Sequence, residues 1–261
     1  MKKLLLLLLL VLPLAFASCD SDDDEPNYSN QTMVVGSVYA IPGGSTGWTS
    51  DNELIASVST NGVTAERVGE TYIRNGSKSF KVTVTGKYNT YKEPCLQWGA
   101  GKSTVKSFMS GYTLSSETDQ YLFYTGNYPV SIIGYSFKNA ALSLSSIIIP
   151  LNSVNMDDLI AFMAERYVYV TKDEANKYFG FLSADKKNIV ILQLETLNSQ
   201  IVYFISYAQY TGSSSAPAQT MKMMKKQIAP ASSEANAEVK ATYTRMLDVM
   251  PEMKPELNNI K

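Results

Sequence analysis

Residues 155–171 read N-M-D-D-L-I-A-F-M-A-E-R-Y-V-Y-V-T, and this stretch decides how most of the chain folds. Asn155 is a residue type that caps helices, and Asp157 and Asp158 follow it in the first turn, where the helix dipole favours carboxylates. The next apolar residues recur at the spacing of one helical face: Met156, Leu159, Ile160 and Met163. The stretch therefore predicts a helix that is followed at once by a strand over residues 167–171.

A shorter helix is predicted upstream, where residues 98–104 read W-G-A-G-K-S-T. Ser103 is expected to cap it and Gly111 to end it, with one apolar stripe formed by Val105, Phe108 and Met109. The G-K-S-T sequence resembles the end of a nucleotide-binding P-loop, but Leu96 stands where the first glycine of that motif belongs. Pro94 also interrupts the strand that should precede it. We therefore predict a helix start and no nucleotide.

Each predicted helix is followed by a set of strands. The strands are expected at residues 121–125, 130–137 and 141–149 after the first helix, and at 167–171, 178–182, 188–194 and 200–207 after the second. Two helix-plus-antiparallel-sheet repeats predict an α+β domain over residues 91–211, with the helices on one face of a continuous sheet. The arrangement is similar to that of β-lactamase-inhibitor-like proteins, and residues 93–109 resemble a segment of uncharacterised secreted bacterial lipoproteins. Neither resemblance implies catalytic residues.

Residues 31–86 have a different pattern, with short alternating strands between closely spaced turns. Asn61-Gly62 and Asn75-Gly76 supply the positive φ that tight hairpins require, so this part is predicted to be a small all-β sandwich. Residues 48–73 resemble the group 2 bacterial immunoglobulin-like domain at Trp48, Ser50, Asn52, Ile55, Ala56, Val58, Gly62, Val63, Ala65, Gly69, Thr71 and Ile73, with Val82 and Val84 in the last strand. The resemblance implies an immunoglobulin-like spacer, and we expect Trp48 in its core.

The N-terminus has the three parts of a secretory signal peptide: two lysines, an apolar run and small residues up to position 18. Residues 16–19, F-A-S-C, resemble the lipobox of bacterial lipoproteins, which implies cleavage before Cys19 and lipid attachment to it. Residues 19–30 carry five carboxylates between Asp20 and Glu25 and predict a solvated acidic tether. The expected location is the outer membrane of a Gram-negative bacterium, on the cell surface. With Cys19 lipidated, Cys95 stands alone and is predicted to be buried.

The composition narrows the classes of function. The chain has 261 residues, no histidine and a formal net charge of −1. The absence of histidine removes the commonest general base, and the near-neutral charge gives no field that attracts nucleic acid. We predict a protein that is not an enzyme and that needs no cofactor, no metal and no nucleic-acid partner. The nearest carboxylate pairs, Asp157 with Asp158 and Asp173 with Glu174, are expected to lie in helix caps and solvated loops.

Tyrosine is abundant in residues 91–211. The tyrosines expected to form a ligand-binding surface on the sheet are Tyr121, Tyr124, Tyr135, Tyr203 and Tyr207. The predicted function is a lipid-anchored cell-surface binding or adhesion protein, with a glycan or a protein as ligand. A carboxylate-based hydrolase of surface polysaccharide and a structural envelope component stay open as alternatives. Residues 212–261 are predicted to be a linker and a helical tail, which either docks on the sheet or folds on a partner.

Overall fold

The structure is a computed structural model that describes residues 28–197, 200–211 and 237–249. β-Strand is the commonest regular structure of the described chain, at a little under half of its residues, and the strands form three sheets. The predicted signal peptide, Cys19, most of the tether, the turn at residues 198–199 and most of the tail lie outside the described residues. None of the helices in the described ranges is long and apolar enough to cross a membrane.

The N-terminal part consists of two small sheets that share one core. Its strands are β1 (Gln31–Val34), β2 (Val38–Tyr39), β3 (Thr49–Ser50), β4 (Ala56–Ser59), β5 (Gly62–Ala65), β6 (Gly69–Asn75) and β7 (Lys78–Thr85). One sheet has the order β1-β7-β6-β3, in which β1 runs parallel to β7, and the other has the order β2-β5-β4. Trp48 is 7% exposed and packs on Phe80 with ring centroids 5.4 Å apart, so its predicted place in the core is confirmed.

Both predicted Asn-Gly turns are present. Gly62 joins β4 to β5 with a φ of 116°, and Gly76 joins β6 to β7 with a φ of 58°. A Cβ atom on Gly62 would lie 2.2 Å from the carbonyl oxygen of Tyr39, so only glycine fits there. The turn chemistry thus fixes the two hairpins of this part.

The C-terminal part is built on one eight-stranded antiparallel sheet. Its elements are α1 (Lys102–Phe108), β8 (Leu114–Glu117), β9 (Tyr121–Thr125), β10 (Ile132–Lys138), β11 (Ala141–Pro150), α2 (Met156–Arg166), β12 (Tyr167–Asp173), β13 (Tyr178–Ser183), β14 (Asn188–Leu197), β15 (Gln200–Gln209) and α3 (Ala237–Val249). The strand order is β12-β13-β14-β15-β11-β10-β9-β8. The two predicted sets of strands therefore join through their last members, β11 and β15, into the continuous sheet that the sequence predicts.

The helices pack on one face of this sheet. Alternate residues of β9 to β15 form the core with them, including Leu122, Ile133, Ile147, Phe179, Phe181, Leu192 and Ile205. In α3, Val239, Tyr243 and Met246 are buried, and the Tyr243 ring stacks on Phe179 at 5.0 Å. The tail helix therefore docks on the sheet, which the sequence left open.

The helix α1 differs from the prediction at both ends: it ends at Phe108 with Met109 at the C-cap position, so the prediction that Gly111 ends it is wrong. The Asn155 side chain accepts a hydrogen bond from the backbone N–H of Asp157 at 2.8 Å, which confirms the predicted cap of α2. By contrast, α1 begins at Lys102 with Gly101 at the N-cap position and no side-chain cap, so the prediction that Ser103 caps it is wrong. Ser103 already lies inside the helix, because the turn formed by Gly99 and Gly101 ends two residues earlier.

Candidate functional site

The structure separates the five tyrosines that the sequence groups as a ligand surface. Tyr121 is 39% exposed, whereas four are nearly inaccessible: Tyr124 at 3%, Tyr135 at 1%, Tyr203 at 1% and Tyr207 at 0%. These four lie in the core between the sheet and the helices. Burial raises the pKa of Tyr203 to about 12 and raises that of Tyr207 as well. Of the five, only Tyr121 is placed where a ligand can reach it.

Strand geometry explains this separation. Successive side chains of a strand point to opposite faces, so Tyr121 and Tyr124 of β9 lie on different sides of the sheet. The buried hydroxyls bond inside the protein: the Tyr135 hydroxyl accepts the backbone N–H of Cys95 at 3.1 Å, and the Tyr91 and Tyr207 hydroxyls lie 2.7 Å apart. Cys95 itself is fully buried, as the sequence predicts. The buried tyrosines therefore form part of the hydrophobic core.

The exposed face of β9 carries an aromatic pair, Tyr121 and Phe123, which we name the aromatic platform. Both side chains are 39% exposed, and their rings are nearly parallel, with an interplanar angle of 19° and centroids 6.0 Å apart. Phe123 lies opposite Gly134 of β10, and a Cβ atom at Gly134 would be 3.1 Å from its ring. The lack of a side chain at Gly134 therefore lets the Phe123 ring lie close over the next strand.

Several neighbours of the aromatic platform carry hydroxyl groups. Ser136 pairs with Tyr121 across the sheet, Ser146 pairs with Gly134, and the hydroxyls of Ser115 and Thr125 lie 3.0 Å apart beside it. Apolar ring faces next to hydroxyl groups suit ligands that have both C–H faces and polar edges. Phe123 and Gly134 were missed by the sequence analysis, although Phe123 lies two residues from Tyr121, the spacing that places strand residues on one face.

A second aromatic site lies at the opposite face of the sheet. We name it the tyrosine pocket; it has a volume of about 250 Å³ and is lined by Asn89, Thr90, Tyr91, Lys92, Tyr112, Asn127, Tyr128, Val130 and Ile133. Tyr128 at its edge is 83% exposed, more than the other exposed large hydrophobic side chains of the described chain. The sequence analysis did not bring Tyr112 and Tyr128 together, because 16 residues and two strands separate them.

The four carboxylates that the sequence singled out serve local structure. Asp157 and Asp158 lie exposed in the first turn of α2. The Asp173 carboxylate accepts hydrogen bonds from the backbone N–H and side-chain amide of Asn176, and Glu174 forms a 3.0 Å ion pair with Lys172. Asp157 and Asp158 thus lie at a helix start and Glu174 in a turn, as predicted, whereas Asp173 is the last residue of β12.

A different carboxylate, Glu93, lies at the junction of the two parts, beside a cleft of about 340 Å³. Its carboxylate accepts a hydrogen bond from the Tyr167 hydroxyl and lies 3.8 Å from Nε of Arg166. Burial raises the pKa of Glu93, and the negative charge of Asp185 on the same cleft adds to the rise, while Arg166 opposes it. Sequence reasoning missed this group because Glu93 and Tyr167 are 74 residues apart.

Glu165, next to Arg166, forms hydrogen bonds that connect the two parts of the protein. Its Oε2 accepts the backbone N–H groups of Lys87 and Tyr88 at 2.8 and 3.0 Å, and its carbonyl oxygen accepts the N–H of Val68 at 2.7 Å. These bonds join the end of α2 to the connection after β7 and to the loop before β6. Glu165 therefore holds the two parts of the protein together.

The G-K-S-T segment has no P-loop geometry. No strand precedes α1 between residues 86 and 101, and Lys102 donates to the carbonyl oxygen of Thr118 and lies 3.8 Å from Glu117. A P-loop lysine points instead at phosphates cradled by the loop. Across the described ranges, no three histidine, cysteine or acidic side chains are grouped so that they could hold a metal ion.

Comparisons of the chain with protein-family models, with curated proteins and with solved structures found no match. The resemblances to immunoglobulin-like domains, to lipoproteins and to β-lactamase-inhibitor-like proteins therefore stay predictions. The aromatic platform, the tyrosine pocket and the cleft beside Glu93 are the candidate functional sites of the described chain.

Proposed function

We propose that this protein is a lipid-anchored binding or adhesion protein of the cell surface that holds glycans on its aromatic platform. The observation that carries the proposal is the exposed, nearly parallel pair of Tyr121 and Phe123 on a sheet face whose neighbouring side chains are hydroxyls. Sugar rings have an apolar C–H face that packs on aromatic rings and hydroxyls that bond to polar neighbours. A flat exposed surface of this kind suits binding to a chain of sugars.

The strength of such contacts can be estimated from area. A sugar ring that covers about 80 Å² of aromatic surface gains about 2 kcal/mol at roughly 25 cal/mol per Å², equivalent to about thirtyfold in Kd. A single contact of this size would then be weak, with a Kd of about 30 mM. An array of anchored copies on a surface would bind a polymer much more strongly through multivalency.

The other parts of the chain fit a surface role. The lipobox-like residues before Cys19 and the acidic tether support a lipid anchor with a solvated stalk. The small two-sheet part over residues 31–86 supports an immunoglobulin-like spacer, because its sheets share one core and β1 pairs in parallel with β7. The spacer would hold the larger sheet away from the membrane.

A second candidate is a hydrolase of surface polysaccharide, favoured by the raised pKa of Glu93 beside the junction cleft. A protonated carboxyl is what a general acid needs, and Asp185 lines the same cleft. Glu93 already has Tyr167 and Arg166 as internal partners, which favours a structural role. The hydrolase would be supported if the wild type released reducing ends from a polysaccharide and Glu93→Gln did not.

The binding proposal is tested by affinity electrophoresis in gels that contain soluble polysaccharides. We expect the double variant Tyr121→Ala/Phe123→Ala to lose most of the retardation that the wild type shows. Tyr72→Ala is the matched control, because Tyr72 is 45% exposed on the N-terminal part. Equal retardation of wild type and double variant would refute the role of the aromatic platform.

The location is tested separately on cells. Protease added to intact cells should cleave the wild-type protein, and Cys19→Ser should release it from the membrane fraction. A protein that is protected until lysis lies inside the envelope, and one that stays with the membrane after Cys19→Ser is not held by a lipid on that cysteine.

A further inference from the structure

The tyrosine pocket is enclosed by three separate segments of the larger part. Asn89, Thr90, Tyr91 and Lys92 come from the connection after β7, Tyr112 follows α1, and Asn127 and Tyr128 belong to the loop between β9 and β10. Val130 and Ile133 are buried and contribute the apolar side chains of its lining. The pocket lies on the helix-covered side of β9, whereas the aromatic platform lies on the other side. The two are therefore separate sites.

The segments that form the tyrosine pocket are fixed by internal bonds. The Tyr91 ring packs on Phe162 at 4.2 Å, and its hydroxyl pairs with that of Tyr207 in the core. The Thr90 hydroxyl donates to the carbonyl oxygen of Asp158 at 3.1 Å, and the loop after β9 is closed by the N–H of Val130 donating to the carbonyl oxygen of Asn127 at 2.9 Å. The site is thus formed before any ligand arrives.

Three polar side chains around the tyrosine pocket, those of Asn89, Lys92 and Asn127, are exposed. The side-chain amides of Asn89 and Asn127 have no hydrogen-bond partner among the described residues, and Lys92 has no carboxylate within 4.0 Å of its Nζ there. Lys92 is instead held against two aromatic rings, 5.1 Å from the Phe108 centroid and 5.8 Å from the Tyr112 centroid. No aspartate or glutamate lines the pocket, so its one charge is positive.

We propose that the tyrosine pocket binds one acidic sugar residue, a sugar ring that bears a carboxylate. Lys92 supplies the positive charge for the carboxylate, the amides of Asn89 and Asn127 suit the ring hydroxyls, and Tyr112 and Tyr128 offer aromatic surface to the C–H face. A volume of about 250 Å³ is below the range of roughly 300–1,000 Å³ typical of drug-sized ligands, which matches one ring and no longer segment. This inference is independent of the aromatic platform.

Aromatic surface and amides around a single cation favour a sugar acid over an acidic peptide. A cation alone is enough to bind the carboxylate of an acidic peptide. The extended backbone of the peptide would also need an open strand edge or a long groove. The tyrosine pocket offers neither, because its segments are closed by the bonds described above. An acidic peptide that binds in place of the sugar is therefore an outcome that refutes the proposal.

The test is a titration of the purified full-length protein with glucuronate, galacturonate and N-acetylneuraminate, followed by NMR line shifts. Glucose and galactose are the neutral controls, and a short Asp/Glu peptide is the competing class. We expect at least one acidic sugar to bind, with an affinity at least tenfold above that of its neutral counterpart. Higher salt should weaken the binding, because it depends on a charge.

Two variants and one control locate the site. Lys92→Met removes the charge of the side chain and keeps most of its length, and Tyr128→Ala removes an 83% exposed ring without touching the core. Each should weaken the acidic sugar about tenfold or more, and Lys138→Met, an exposed lysine at the end of β10, should leave it unchanged. Equal affinity for neutral sugars, binding of the peptide alone, no binding of any acidic sugar, or wild-type binding by Lys92→Met would each overturn the proposal.

Discussion

Truncation of Glu165 to alanine is expected to loosen the junction between the two parts of the protein. Glu165 is 7% exposed, and its Oε2 accepts the backbone N–H groups of Lys87 and Tyr88, the residues that connect β7 to the larger part. Arg166 lies 3.7 Å from the same oxygen. Glu165→Ala therefore leaves two backbone donors and part of a guanidinium without an acceptor at a largely buried site.

The magnitude follows from these contacts. A hydrogen bond to a charged group contributes roughly 1.5–3 kcal/mol, so the two N–H bonds together contribute about 3–6 kcal/mol. The neighbouring cleft lets water reach part of the site after truncation, which lowers the loss to about 3–4 kcal/mol, in line with the roughly 3–5 kcal/mol measured when one partner of a buried ion pair is removed. Glu165→Gln keeps an oxygen acceptor and the shape, so it should lose only about 1–2 kcal/mol.

The chain offers a direct assay, because each part contains one tryptophan. Trp48 lies in the core of the N-terminal part, and Trp98 donates to the side chain of Asn188 in the larger part. Urea unfolding followed by fluorescence in Trp98→Phe and Trp48→Phe backgrounds therefore reports each part separately. We expect coincident transitions with Glu165 present and separated transitions in Glu165→Ala. Coincident transitions and a loss below about 1 kcal/mol in Glu165→Ala would refute the reasoning.

Three further outcomes are expected. Gly134→Ala places a Cβ 2.8 Å from the Ser146 hydroxyl and 3.1 Å from the ring of Phe123, so both side chains must shift. Polysaccharide retardation in gels should therefore weaken while circular dichroism stays that of the wild type. Tyr91→Phe and Tyr207→Phe each leave a buried hydroxyl without its 2.7 Å partner, so each should lower the free energy of unfolding in urea by about 1–2 kcal/mol. The double variant should be no less stable than either single variant, and additive losses would contradict the pairing. Burial raises the pKa of Glu93, so the folded protein keeps the proton of this carboxyl to higher pH than the unfolded chain does. As pH rises above about 4.3, the unfolded chain loses the proton first, and the free energy of unfolding therefore decreases. The stability of Glu93→Gln relative to wild type should therefore increase from pH 4 to 7, and a difference that is independent of pH would contradict the raised pKa.

Local patterns in the sequence predict much of the fold. Asn155 caps α2 as predicted, Gly62 and Gly76 form the predicted turns, and the seven predicted strands of the larger part are present with shifted ends. These features depend on neighbouring residues, which a sequence shows directly. β8 was missed because its four residues are all exposed and have no alternation of apolar and polar side chains.

The candidate sites depend on contacts that local patterns do not contain. Tyrosine occurs on both the exposed and the buried face of strands, so the abundance of tyrosine did not distinguish exposed Tyr121 from buried Tyr124. The alternation of side chains along β9 would have distinguished them. The Glu93–Tyr167 contact and the tyrosine pocket bring together residues from distant segments. The positions of these residues follow from the order of the strands in the sheet. That order depends on the pairing of β11 with β15, which no local sequence pattern predicts.

The most direct test of the glycan-binding proposal is a glycan array probed in parallel with the wild-type protein and with Tyr121→Ala/Phe123→Ala, presented at equal density on beads so that weak sites act together. The proposal predicts that the wild type binds a defined set of glycans and that the double variant loses at least about tenfold of that signal, the change expected from about 1.4 kcal/mol or more of lost stacking. No glycan bound by the wild type, or the same glycans bound equally by the double variant, would contradict it.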